Sequence, residues 1–208
     1  MERSRSLVPT STQQGVPGSY EVTRLVAAPS APGWLARADH NVPCVTARAG
    51  RLGVVRPPTV IDPGRLIAGR HPCAWSLENV EGEVRDLLAQ GVTLFLDLTQ
   101  EGELEPYASL VIPPARHQRA AIRDLSVPAV PELVAILDAI DAELANGGLV
   151  YVHCWAGCGR TGVVVGCWLV RHGIDARSAL ARIGETRGLG CPQTLEQRLQ
   201  VLSWEPGR

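Results

Sequence analysis

The stretch LVYVHCWAGCGRTGVVVGCWLV, residues Leu149 to Val170, runs from an apolar strand through a glycine-containing loop into an apolar helix. A strand, a loop and a helix start in that order make an anion site. The first amides of the helix have no intrahelical acceptor, and the helix dipole adds positive potential where they point. Phosphate is the natural guest.

This loop differs from a nucleotide cradle in its two ends. Cys154 opens it and Arg160 closes it, with Trp155, Ala156, Gly157, Cys158 and Gly159 between them as the phosphate-binding segment. That spacing lets one loop encircle a tetrahedral anion, with sulfur beneath the phosphorus and the planar fork of Arg160 on two equatorial oxygens. Gly157 and Gly159 remove side chains where the backbone turns and its amides converge. A cysteine at the positive end of a helix is a nucleophile rather than a bystander. Thr161 can aim its hydroxyl at the sulfur and stabilise it as a leaving group, and His153 is expected to orient the loop from below.

Outward from this segment, helical and strand patterns alternate. A short strand at Leu66 to Ala68 lies between turn signals, and Leu77 to Gln90 has the spacing of an amphipathic helix stopped by Gly91. VTLFLDL, Val92 to Leu98, reads as a strand buried on both faces, and a helix over Pro131 to Ala145 precedes the strand Leu149 to His153. Helices are predicted over Thr161 to His172, Ala176 to Arg187 and Thr194 to Trp204. The pattern predicts an α/β fold, a central mostly parallel sheet flanked by helices, with binding at the carboxyl ends of the strands. Residues 1–50 mix Ser, Thr, Gln, Pro, Gly and Ala without a period and are expected to be an irregular, partly disordered lead-in to a domain over residues 51–208.

Composition narrows the function. The chain has 208 residues, 45% hydrophobic and 20% charged, so it can bury a core. Lys+Arg 20 against Asp+Glu 21 disfavours a whole-chain partner for nucleic acid. All the basic residues are arginine, which removes Schiff-base chemistry and the lysine of a Walker-type loop. No apolar run approaches the roughly 20 residues that cross a bilayer, so no membrane partner is expected. The beginning, MERSRSLVPTSTQQG, lacks a secretory h-region, so a cytoplasmic location with reduced thiols is the expectation. A monomer is the default.

His153-Cys154-x5-Arg160-Thr161 resembles the signature of the cysteine-dependent protein tyrosine and dual-specificity phosphatases. The similarity extends over roughly Arg56 to Trp204 and implies a three-layer dual-specificity phosphatase-like domain. By that resemblance Asp124 in AIRDLSVP is the general acid, and CPQTLEQ is the late loop that places the hydrolytic water through Gln197, with Gln193 as its alternative. The implied reaction is attack by Cys154 on a phosphate monoester, then hydrolysis of the phosphocysteine, with no cofactor and no metal. The implied substrate is phosphotyrosine, with phosphoserine and phosphothreonine as possible extensions. Lipid-phosphate members carry basic residues between the cysteine and the arginine; the neutral segment here favours a singly phosphorylated side chain.

Competing readings stand beside these. The protein could be a weak phosphate-binding module that shields phosphoproteins, or could act on a small non-protein phosphate ester. Asp97 competes with Asp124 as the acid, or else binds loop amides and holds structure. His153, Cys154 and Cys158 offer too few ligands for a zinc site. Cys158 could bridge to Cys154 on oxidation. Cys44, Cys73, Cys167 and Cys191 show no pairing logic, and Cys167 is expected in the core. Arg116, Arg119 and Arg123 are either a solvated surface or a second anion contact.

Overall fold

The strand expected before the loop forms as β5 (Val150–Cys154), the middle strand of a five-stranded sheet in the computed structural model, which describes residues 57–62, 65–74 and 79–205. The lead-in expected over residues 1–50, and Cys44 within it, lie outside the described residues. The other strands are β1 (Thr59–Asp62), β2 (Leu66–Arg70), β3 (Leu94–Asp97) and β4 (Arg116–Arg119), in the spatial order β1-β2-β5-β3-β4. β1 runs antiparallel to β2 and the other neighbours are parallel. The expected α/β architecture is therefore present, with one antiparallel edge.

Strand alternation gives the sheet two apolar faces. Leu66, Ala68, Leu94, Leu96, Val150 and Val152 point to one side, where they meet α2 (Val130–Ala145), α3 (Gly159–Arg171), α4 (Ala176–Arg187) and α5 (Leu195–Leu202). The residues between them, Ile67, Phe95 and Tyr151, meet α1 (Val80–Ala89) through Val84 and Leu87. This two-sided burial is why VTLFLDL and LVYVH read as continuous apolar runs.

α3 is buried from Gly159 through Val170, so its neighbours must approach closely. Gly166 allows it: a β-carbon there would lie 2.8 Å from Val201 and 2.9 Å from Ile183, on α5 and α4. Sheet register then fixes what reaches the site. Gly69, His153 and Asp97 lie side by side at the carboxyl ends of β2, β5 and β3, with Cys154 one residue on beside Arg70.

β1 and β4 are absent from the sequence reading. β4 has the sequence RHQR; Arg116, half exposed as a solvated surface residue would be, reaches Glu143 at 2.7 Å, and Arg119 reaches Asp97 at 3.4 Å. Among the described residues no helix is long and apolar enough to cross a membrane.

Candidate active site

Cys154 ends β5 and is 3% exposed; α3 begins five residues later with Cys158 as its N-cap. The first turn of α3 closes with the Gly162 amide donating to the Cys158 carbonyl at 3.1 Å. The amides of Gly159, Arg160 and Thr161 precede that bond and have no acceptor within the helix. Gly157 has φ +70°, and a β-carbon there would meet the Gly69 carbonyl oxygen at 2.2 Å, so only glycine fits.

Two loop carbonyls are tied back to the scaffold. The His71 amide donates to the Trp155 carbonyl at 2.9 Å, and Arg187 Nε donates to the Gly157 carbonyl at 2.8 Å. A trans peptide points its C=O and the following N–H in opposite directions. These ties therefore turn the Ala156 and Cys158 amides away from His71 and Arg187. Arg187 is itself fixed, with Nη1 donating to the carbonyls of Pro57 at 2.7 Å and Ala68 at 3.2 Å.

Arg160 is 1% exposed. Its Nη1 and Nη2 grip Glu103 in a two-point pair, at 2.7 and 2.5 Å, and Nη1 also donates to the Ile122 carbonyl at 3.0 Å. The opposite edge of the guanidinium is formed by Nε and Nη2. Asp124 Oδ1 lies 3.0 Å from Nη2, and Nε is buried with no hydrogen-bond partner among the described residues. That edge is the free fork for an oxyanion, with a carboxylate resting on one of its two donors. Burial alone would lower the Arg160 pKa, but the bond to Glu103 and the charges of Cys154, Glu103 and Asp124 raise it. Burial would raise Glu103, yet Arg160 and the Gln100 amide hold it below the usual carboxylate range.

Asp124 itself is 48% exposed in side chain. Asp97, its competitor, is fully buried and occupied: it accepts from the Thr99 amide at 2.9 Å and hydroxyl at 2.6 Å, from His117 at 3.2 Å and from Arg119 at 3.4 Å. Burial would raise its pKa, but the bonds from His117 and Thr99 hold it well below the carboxylate range. Its place is structural.

His153 lies under the loop. Its Nε2 is 2.5 Å from the Tyr107 hydroxyl and its Nδ1 is 3.4 Å from the Cys154 carbonyl. Burial pushes the His153 pKa down to about 3 and raises that of Tyr107 well above its ordinary value. The neutral pair fits one arrangement: Tyr107 donates to Nε2, and Nδ1–H turns to the Cys154 carbonyl. Thr161 follows Arg160 with its hydroxyl buried and without a hydrogen-bond partner among the described residues.

Gln197 is fully buried and both ends of its amide are engaged. Its Oε1 accepts from the Gln193 and Thr194 amides at 3.1 and 3.2 Å, and its Nε2 donates to the Ser126 carbonyl at 3.1 Å, two residues beyond Asp124. Gln193 is exposed, with its side-chain oxygen against Gly159.

The cysteine expectations need correction. Cys158 is bridged to Cys191, 33 residues away, and not to Cys154. Cys154 is free, as are Cys73 and Cys167, the latter in the core as expected. With Cys158 bridged and His153 facing Tyr107, the weighed metal trio does not converge. The expectation of wholly reduced thiols also fails at this pair.

Three residues that shape the site escaped the sequence reading: Glu103, Tyr107 and Arg187. Glu103 is one of three glutamates in TQEGELEP, and Arg187 closes a helix 27 residues after Arg160, so no local pattern singles them out.

A family model described as "Polymorphic toxin system, DSP-PTPase phosphatase" (Tc-R-P) matches residues 72–174. The crystal structure of Tk-PTP in its active form is 27% identical and superposes with a TM-score of 0.59, over 70% of this chain and 95% of that one. These matches support a compact member of the cysteine-dependent protein tyrosine phosphatase superfamily. Within that superfamily, a mouse putative dual specificity phosphatase solved with zinc tungstate shares the fold at a TM-score of 0.58 and 22% identity, covering 76% of this chain and 92% of that one. Cyclin-dependent kinase inhibitor 3 of Sus scrofa is 24% identical over 127 residues, 57% of this chain and 60% of that protein. The chain thus spans three fifths of that curated relative's length.

Proposed function

We propose that residues 51–208 form a protein phosphatase domain that hydrolyses phosphotyrosine, and other phosphorylated side chains that reach the loop, through a phosphocysteine on Cys154. The observation that carries this reading is Arg160, which closes a loop that begins at the free Cys154 and keeps a buried Nε without a hydrogen-bond partner among the described residues beside the Nη2 that Asp124 covers.

The phosphate enters between these groups. Two of its oxygens take the Arg160 edge, displacing Asp124 from Nη2, and the amides of residues 155–161 receive the equatorial charge. Cys154 Sγ attacks in line, the bond from phosphorus to the leaving oxygen breaks, and Asp124, having taken a proton from solvent once it leaves Arg160, passes that proton to the oxygen. Glu103 keeps the guanidinium from turning when its other edge changes partner. In the second half-reaction a water deprotonated by Asp124 attacks phosphorus, and Thr161 supports the departing sulfur. Gln193, exposed beside Gly159, is the side chain placed to orient that water. Gln197 holds the late loop to the acid loop. Trp155, 45% exposed on a segment without basic residues, favours an aryl phosphate over a polyphosphorylated ring.

A phosphorylated protein is the partner this reading requires. A cytoplasmic location remains part of the proposal; there the Cys158–Cys191 bridge would meet a reducing thiol pool. Hydrolysis of p-nitrophenyl phosphate in the presence of a chelator is expected from the full chain and absent from Cys154→Ser. Activity retained by Cys154→Ser, or abolished by the chelator, would refute the proposal.

A further inference from the structure

Resting on that reading, we propose that the Cys158–Cys191 cystine is a positioning device for the second half-reaction, so that the enzyme turns over fully in its oxidised form. This inverts the usual expectation that a reductant helps a thiol phosphatase.

Cys158 lies in the phosphate loop as the N-cap of α3, while Cys191 stands two residues before Gln193 in the late loop. The bond therefore joins the two segments that must meet for hydrolysis. Gln193 is pressed against the helix start beside it: its Oε1 lies 2.5 Å from where a β-carbon on Gly159 would be. From Gln193 the connection continues through Gln197, which accepts from its amide and donates to Ser126 beyond Asp124. Phosphate loop, water-positioning side chain and acid loop thus form one chain of contacts, and the cystine is its covalent member.

Apart from the bridge, the late loop meets this region by packing alone, with Gln197 against Gly159 and Pro192 against Gly162. Leu189 is 89% exposed, and Gly188, at φ +115°, and Gly190 flank it. The remaining ties are local or run to α5: the Cys191 amide to the Gly188 carbonyl at 2.9 Å, and Arg198 Nε to the Pro192 carbonyl at 2.9 Å. None of these reaches the phosphate loop. Opening the bridge with a dithiol, which leaves as its own cyclic disulfide while Cys158 and Cys191 gain the two protons, would free Gln193 to drift from Gly159. The anion site would survive, because its amides are tied through Arg187 and His71 and its guanidinium through Glu103.

The two half-reactions should therefore respond differently. In the full oxidised chain, rapid mixing with p-nitrophenyl phosphate gives a burst of phosphoenzyme formation followed by steady turnover. After dithiothreitol, or in Cys191→Ser, the burst is expected to persist while steady turnover falls about 100-fold, the scale of a misplacement of about 1 Å. Inhibition by tungstate should stay within about twofold, as expected if the anion site is intact. Reoxidation of the reduced wild type with glutathione disulfide, which leaves as two glutathione thiols, should restore the rate, and Cys191→Ser should not recover it. Full steady turnover with the bridge open, or equal loss of burst and turnover, overturns this proposal alone. Absence of any hydrolysis by the oxidised wild type overturns the phosphatase reading and this proposal with it.

Discussion

Asp124 shares the Nη2 of Arg160 with any oxyanion that enters the loop. Resting on Arg160 Nη2 at 3.0 Å, it covers a donor that a phosphate oxygen must claim. Binding of an oxyanion and release of the acid are then one event. Asp124→Asn removes both the acid and the competing charge, so its effects should diverge. Turnover of phenyl phosphate, whose leaving oxygen needs a proton, is expected to fall about 100-fold, and that of p-nitrophenyl phosphate much less. Tungstate, measured as an inhibitor, is expected to bind at least as tightly as to the wild type. Weaker tungstate binding, or equal losses on both esters, would contradict this account. Asp124 was accessible from AIRDLSVP through the family resemblance. Glu103 was not, since its partner lies 57 residues away and only the fold brings them together.

At the scale of elements, the loop works because β2 and α4 hold it from outside. Arg187, at the end of α4, fixes the Gly157 carbonyl and thereby the direction of the Cys158 amide. Arg187→Ala should lower kcat/KM on p-nitrophenyl phosphate by about tenfold or more, as losing one oriented donor does elsewhere. Arg187→Lys should not restore it, because a single ammonium cannot reach the Gly157, Pro57 and Ala68 carbonyls together. Wild-type kinetics in Arg187→Ala would remove this element from the account. The buried elements were legible because two-sided burial writes long apolar runs, and helix α4 matches its predicted span. Edge strand β4 was hidden for the same reason: RHQR pairs with β3 on one side only, and its side chains answer to Asp97 and Glu143 rather than to a core.

For the whole molecule, the buried polar cluster behind the cysteine sets a limit in acid. Burial pushes His71 down to about 4 and His153 down to about 3, from an ordinary 6.5. Unfolded, both rings take a proton near pH 6.5; folded, they refuse it until far lower. Stability is therefore intact above pH 6.5 and falls as pH drops toward 4, on the order of 1 kcal/mol per pH unit for each ring. Asp97, depressed in the fold, contributes its share above the carboxylate range and loses it only below. A urea midpoint lower at pH 5 than at pH 7 is expected; an equal or higher one would show that these rings are not held neutral. The sequence read well wherever chemistry is contiguous, as in Cys154 to Thr161. It was silent where chemistry is assembled across the fold, as in the cystine from Cys158 to Cys191 and the cluster of His71, Tyr107, His117 and His153.

The central claim is that Cys154 carries the phosphoryl group between two half-reactions. Acid-quenching the full chain during the burst, followed by mass spectrometry of its peptides, tests this directly. The account expects phosphate on the peptide containing Cys154, lost on longer incubation and absent in Cys154→Ser. Turnover with no phosphorylated peptide, or with phosphate on another residue, would contradict it.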